Sequence, residues 1–198
     1  MPRAGLAPAA VVEAAADLAD EVGLDALSMG LLAERLGVRT PSLYNHVDNL
    51  GDLTHRIAVQ AMHELGDAIR DATQGRAHTE ALRAAAAAMR TFVKEHPGRY
   101  DAGNRARTTG PDDPLLAAAD RFLGSLSAVL RGYRLEPADE IHALRALRSV
   151  LHGFATVEES GGFMIDADVD DSFTWLVDLL DRGLMSAGRA GHPDPGTR

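Results

Sequence analysis

Apolar residues recur at helical spacing along most of the chain. Residues 8–23 place Val11, Ala15, Leu18 and Val22 on one face, with Pro8 suited to a first turn and Gly23 to a stop. Ser28 is placed to cap a second helix whose inward side is Met29, Leu32, Ala33 and Leu36, closed by Gly37. Three residues later, Thr40 is placed to cap a third, with Pro41 at its first position and Leu43 and Val47 facing inward. A longer helix is predicted over 50–72, carrying Leu53, Ile57, Ala61 and Leu65. An alanine-rich one follows over 79–95, stopped by His96-Pro97-Gly98. Glycine, proline and aspartate crowd 101–113, which reads as a loop. Helices resume over 114–131, 137–160 and 170–185, and no strand alternation competes. The expected class is all-α, about nine helices, in two parts: a three-helix helix-turn-helix domain at 1–49 and a larger helical domain at 50–186. Residues 187–198 read as a disordered tail.

Length and composition narrow the setting. The 198 residues suffice for a core without staples, and the absence of cysteine excludes disulfides, thiolate catalysis and zinc-thiolate sites. No basic start leads into an apolar run, and the apolar stretch 115–130 is broken by Asp120 and Arg121, so a cytoplasmic protein with no membrane partner is expected. Charge complicates any nucleic-acid role. The net charge is −9, and within residues 1–60 four arginines face eight carboxylates. Bulk electrostatics would repel a polyanion, so a DNA-facing surface has to be local.

Such a surface exists. Two short helices joined by a glycine-containing turn are the geometry in which one helix crosses the phosphate backbone while the next enters the major groove. Leu43 and Val47 use up the inward face of the third helix. Thr40, Pro41, Ser42, Tyr44, Asn45 and His46 are left outside, with no acid between Arg39 and Val47. The stretches Leu27-Ser28-Met29, Leu32-Ala33-Glu34-Arg35-Leu36-Gly37-Val38 and Pro41-Ser42-Leu43-Tyr44-Asn45-His46-Val47 resemble the DNA-binding domain of the TetR family over residues 8–60. That resemblance implies a dimeric repressor binding a palindromic double-stranded operator and released by a small molecule. It implies that Ser28 and Thr40 cap their helices and touch phosphate, and that Tyr44 meets the DNA backbone. Pro41, Ser42 and Asn45 would then face bases or sugars. Arg39 is a phosphate candidate, and His46 either donates to phosphate or bonds within the domain. Gly30 and Leu50 stand where family members often carry basic residues. Helix termini are therefore expected to carry more of the phosphate contact than lysines do.

Downstream, Glu95-His96-Pro97-Gly98-Arg99-Tyr100, Leu147-Arg148-Ser149-Val150-Leu151-His152-Gly153-Phe154 and Gly161-Gly162-Phe163 resemble a TetR C-terminal class named for its Trp-His-Gly signature, with Arg148 at the tryptophan position. The resemblance gives the larger domain a ligand-binding and dimerising role. Eight of nine aromatic residues lie after residue 90, as a pocket or an interface would need. Pocket candidates are Met62, Met89, Phe92, Tyr100, Phe122, Leu126 and His152, each of which also suits plain core packing. Two stripes, Ile141, Leu144, Leu151 and Phe154 on one helix and Phe173, Leu176, Leu180 and Leu184 on the last, would form an isologous four-helix contact or serve as core.

Asp166, Asp168 and Asp170 mimic the start of a calcium loop, but the required glycine is Asp171 and the twelfth position is Val177. His63-Glu64 lacks the second histidine of a zinc protease motif, and no phosphate loop or nucleophile elbow occurs. No cofactor, metal or catalytic residue is expected. The alternative to a DNA-binding regulator is a helical dimeric small-molecule-binding or protein-interaction module with a weakened DNA-binding domain.

Overall fold

The computed structural model describes residues 7–190, which form nine α-helices, two 3-10 turns and no strand. Within these residues the packing divides into two compact units, one built from residues up to 64 and 95–119, the other from 65–94 and from 120 onward. Unit 1 therefore holds more than the helix-turn-helix.

In unit 1, α1 (Pro8–Val22) buries Val11, Val12, Ala15, Ala16, Leu18 and Ala19 and ends at Gly23, whose N–H makes the last helical bond to the Ala19 carbonyl and whose φ of 84° turns the chain away. A 3-10 turn (Leu24–Ala26) leads to α2 (Met29–Leu36). Ser28 accepts the Leu31 N–H at 3.3 Å at its start, and Gly37 ends it in the left-handed conformation. The third helix, α3 (Thr40–Leu43), is a single turn whose cap position is Arg39, with Thr40 first and Pro41 second. Thr40 is thus not the cap, because the residue that leaves the extended conformation last is Arg39, at φ −86° and ψ 144°. The first part of α4 (Leu50–Thr73) completes this region. Leu32, Leu43, Leu53 and Ile57 are fully buried, and Val47 nearly so.

The largest departure from the expected elements is α6 (Pro97–Arg105), which replaces the predicted loop over its first part. His96-Pro97 ends α5 (His78–Glu95) and also starts α6, since a proline that cannot continue a helix is well placed to begin one. The irregular segment is confined to 106–113. Gly98 explains how α6 reaches α1: a Cβ there would lie 2.2 Å from the carbonyl carbon and oxygen of Ala19.

Unit 2 comprises the rest of α4, most of α5, the later part of α7 (Pro114–Leu130), a 3-10 turn (Arg131–Tyr133), α8 (Pro137–Glu159) and α9 (Val169–Ala190). Its core holds Leu65, Ile69, Leu82, Met89, Leu126, Leu147 and Leu151. Helix α9 runs on to Ala190, so the expected tail at 187–190 is helical; residues 191–198 lie outside those described. Among the described residues no helix is long and apolar enough to cross a membrane, and no group of three potential ligands could hold a metal ion.

Candidate nucleic-acid interface

The chain around α3 is presented by its own packing. Leu43 and Val47 are buried, while Arg39, Pro41, Ser42, Tyr44 and Asn45 are exposed and Ser28, Thr40 and His46 are half-buried. Tyr44 is 51% exposed, which is unusual for a tyrosine with nothing else to cover it. After α3 the backbone turns through 44–46, with the Val47 N–H bonded to the Leu43 carbonyl at 3.2 Å. The return into α4 is fixed by side chains that the sequence reading missed. Asn49 Oδ1 accepts the Asp52 N–H, Asp52 accepts the Asp48 N–H, and Arg56 bridges Asp52 and the His46 carbonyl, the latter at 3.2 Å. The Asn49-x-x-Asp52 spacing resembles a capping box, except that Asp52 reaches back to the N–H of Asp48, one residue before the cap.

Hydrogen-bonding capacity on this surface is unspent. The side chains of Arg39, Thr40, Ser42, Tyr44, Asn45 and His46 make no hydrogen bond or ion pair to another described residue. Ser28 alone of the expected set is engaged, as a cap, and its hydroxyl hydrogen remains available.

Five of the eight carboxylates that argued against DNA binding, Glu13, Asp17, Asp20, Glu21 and Asp25, are paired away from α3 in unit 1. Glu13, Asp17 and Asp20 follow one another along one face of α1, and the buried guanidinium of Arg99 on α6 meets all three, together with Glu64 of α4. Burial opposes the Arg99 charge, but hydrogen bonds to Glu13 and Glu64 outweigh it and raise its pKa above the ordinary arginine value. Gln60 and Arg99 in turn hold Glu13 below its usual value against partial burial. Asp20 also accepts the Arg99 backbone N–H at 2.8 Å, Asp25 pairs with Arg105, and Glu21 with Arg35. These partners are up to 86 residues apart, so no local pattern announced them.

Unit 1 contains one more fixed polar contact. Asp113, buried at the start of α7, accepts the N–H groups of Leu115 and Thr109, and His55 of α4 donates to it at 2.8 Å. The backbone donors above all, with His55 adding to them, hold its carboxyl well below the usual carboxylate range.

The expected pocket residues are distributed over both units. Met62 and Tyr100 are buried in unit 1, whereas Met89, Phe92, Phe122 and Leu126 are buried in unit 2. His152 is half-buried in unit 2, with its pKa lowered by burial and by the nearby Arg148 cation, which lies 5.7 Å from the Phe122 ring centroid. A cavity of about 280 Å³ opens between α5 and α9, floored by Ala87 and Val177 and edged by Arg83, Arg90 and Phe173; none of the seven expected pocket residues lines it.

The two stripes also divide. Leu151 and Phe173 are buried within the chain, Leu144, Phe154, Leu176, Leu180 and Leu184 are half-buried, and Ile141 is exposed. The Phe154 and Phe173 rings pack tilted to each other with centroids 5.1 Å apart and the Arg90 guanidinium 4.6 Å from the Phe173 centroid, a contact within the chain. Trp175 and Leu179, one turn apart on another face of α9, are 63% and 44% exposed.

An all-helical chain that offers a one-turn reading helix between buried anchors, free of acids and with its polar groups unspent, is a helix-turn-helix DNA-binding transcription factor. The comparisons with known proteins make this specific. The family profile described as bacterial regulatory proteins, tetR family, matches residues 11–49, and the one described as tetracyclin repressor-like, C-terminal domain, matches 82–180. An uncharacterised helix-turn-helix transcriptional regulator of Mycobacterium tuberculosis is 37% identical over 182 residues, covering 91% of this chain and 83% of its own. The class A tetracycline repressor of a transposon from Escherichia coli is 32% identical over 165 residues, 79% of this chain and 68% of its own. A solved structure of a TetR variant from Acinetobacter baumannii in complex with minocycline superimposes with a TM-score of 0.67 at 24% identity, covering 90% of this chain and 96% of its own. The chain belongs to the TetR family and is a DNA-binding transcriptional regulator, not an enzyme.

Proposed function

We propose that this chain is a homodimeric repressor that binds a palindromic operator through Arg39, Thr40, Pro41, Ser42, Tyr44, Asn45 and His46 with Ser28, and is released by a small molecule. The observation that carries this reading is the contrast within unit 1 between unspent donors around α3 and carboxylates neutralised on α1. It weighs against a weakened DNA-binding domain, because the acidic composition of the first 60 residues is not the charge of the reading surface.

Dimerisation is supported by the exposed Trp175 and Leu179 on α9 and Ile141 on α8, apolar groups that a monomer would leave in water. Two copies in a two-fold arrangement would bring their reading helices to a spacing of about 34 Å, one turn of DNA. The small-molecule response is supported by the repressor relative and the minocycline complex; at 24% identity the likeness carries the fold and not the drug. An effector acts only through a difference in its affinity for the DNA-competent and released conformations. Helix α4, which contributes residues to both units, is the proposed link.

Light scattering on the purified chain and on a Trp175→Asp, Leu179→Asp variant tests the dimer. The expected result is a dimer that becomes a monomer with operator affinity lost in parallel. A monomeric wild-type chain, or a variant that remains dimeric and keeps its operator affinity, contradicts the reading.

A further inference from the structure

We propose that unit 2 carries an oxyanion-binding site, for phosphate or a small phosphomonoester, in the cavity where His78, Arg134 and Arg189 converge. This cavity, of about 360 Å³, is walled by the start of α5, the turn after α7 and the last turns of α9. Three of its lining side chains are basic and none is acidic.

Among the described residues, eight arginines, Arg35, Arg56, Arg70, Arg83, Arg90, Arg99, Arg105 and Arg121, pair with carboxylates, while others such as Arg39, Arg76, Arg131, Arg145 and Arg182 do not, so what marks this site is the meeting of two unpaired arginines in one cavity. Arg134 and Arg189 are exposed and make no ion pair or hydrogen bond to a described residue. Compensation of helix dipoles accounts for a cation near each C-terminal end. It does not account for their meeting in one cavity.

The backbone points the same way. Among the described residues, the non-glycine positions with positive φ are His78 at 49° and Arg134 at 53°, and both line this cavity. A turn alone would be served at less strain by glycine. An imidazole and a guanidinium at two strained positions lining one cavity point to use of these side chains.

The walls are also braced. A Cβ on Gly188 would lie 1.9 Å from the Tyr133 carbonyl oxygen, so α9 rests directly on the turn after α7. Beneath, the Tyr133 hydroxyl donates to the buried Asp181, which also accepts the Thr79 hydroxyl at 2.9 Å. The backbone that carries Arg134 and Arg189 is therefore fixed, and guanidinium groups match the oxygens of a phosphate. Ligands of this size fall within the cavity volume.

The test is thermal unfolding of the full chain in rising sodium phosphate or glycerol phosphate, against sodium chloride at equal ionic strength, with affinities from calorimetry. The expected result is a saturable rise in Tm with phosphate beyond that with chloride, and affinity at least tenfold weaker in an Arg134→Gly, Arg189→Gln variant. Arg134→Gly alone relieves the left-handed strain, so the phosphate-free Tm holds or rises while binding falls, which separates a lost site from a lost fold. Tighter binding of glycerol phosphate assigns the site to a phosphorylated metabolite, and tighter binding of inorganic phosphate to the free ion. A rise matched by chloride, or undiminished in the double variant, overturns the proposal.

Discussion

The α1–α6 seam and the surface around α3 lie in the same unit and carry polar groups of similar number, yet they are put to opposite use. In the seam, Arg99 and its four carboxylates are closed on one another at 2.9 to 3.1 Å for three of the contacts. Around α3, six side chains with hydrogen-bonding or phosphate-facing potential make no bond to another described residue. A spent polar group contributes to stability and a free one is available to a partner. Total charge therefore says less about DNA binding than which charges remain uncommitted.

The sharpest way to break this comparison is at the seam. Gly98→Ala puts a methyl group into the Ala19 backbone, which no side-chain movement relieves, and is expected to destabilise unit 1 by about 3 kcal/mol or more in a urea titration. Arg99→Ala leaves Asp20 without its guanidinium partner and three further carboxylates crowded together; because Glu13 and Asp17 are half exposed, the expected cost sits near the low end for a broken buried pair, about 3 kcal/mol. On the reading surface the effects should be of the other kind. Tyr44→Ala and Asn45→Ala are each expected to weaken operator binding about tenfold or more with the unfolding midpoint unchanged. Arg39→Ala should do so more strongly than a typical single phosphate contact. A seam variant that loses operator affinity while fully folded, or a surface variant that unfolds early, would blur the distinction.

Two smaller effects sharpen it. With few cations near α3, the slope of log K against log salt is expected to be about 3 to 4 in magnitude; a slope near 8 would mean that many more lysines or arginines reach phosphate. The Asp113 carboxyl has a folded-state pKa below its unfolded value, so its stabilising contribution is complete above about pH 4 and declines as pH falls toward the folded value. Acid unfolding of Asp113→Asn should therefore show a shallower pH dependence below pH 4 than wild type; identical curves would remove that carboxylate from the account.

The legible features were those encoded within a turn or two. Ser28, Gly37 and the inward Leu32, Leu43 and Val47 signalled the helix-turn-helix directly, and eight of the nine helices followed from periodicity. The missing one, α6, was hidden because Pro97 and Gly98 were read as breakers, when one begins the helix and the other permits its contact with α1. The cap of α3 slipped by one residue, since threonine is the better capping side chain although the backbone places Arg39 there. Burial of individual apolar residues was the least legible. Helical spacing finds apolar faces, but only tertiary packing distinguishes the buried Phe173 from the exposed Trp175 two positions on. Arg99 was invisible for a related reason: its partners come from α1 and α4, and nothing near residue 99 marks them.

The central claim is that the uncommitted side chains around α3 read a specific duplex. The direct test is a fluorescence titration of the wild-type chain with a labelled duplex from the region upstream of its own gene, against a shuffled duplex of the same composition, at fixed salt. The account predicts binding to the first at least a hundredfold tighter than to the second, with the preference lost in a Tyr44→Ala, Asn45→Ala variant that remains folded. Equal affinity for both duplexes, or a preference that survives that variant, would contradict it.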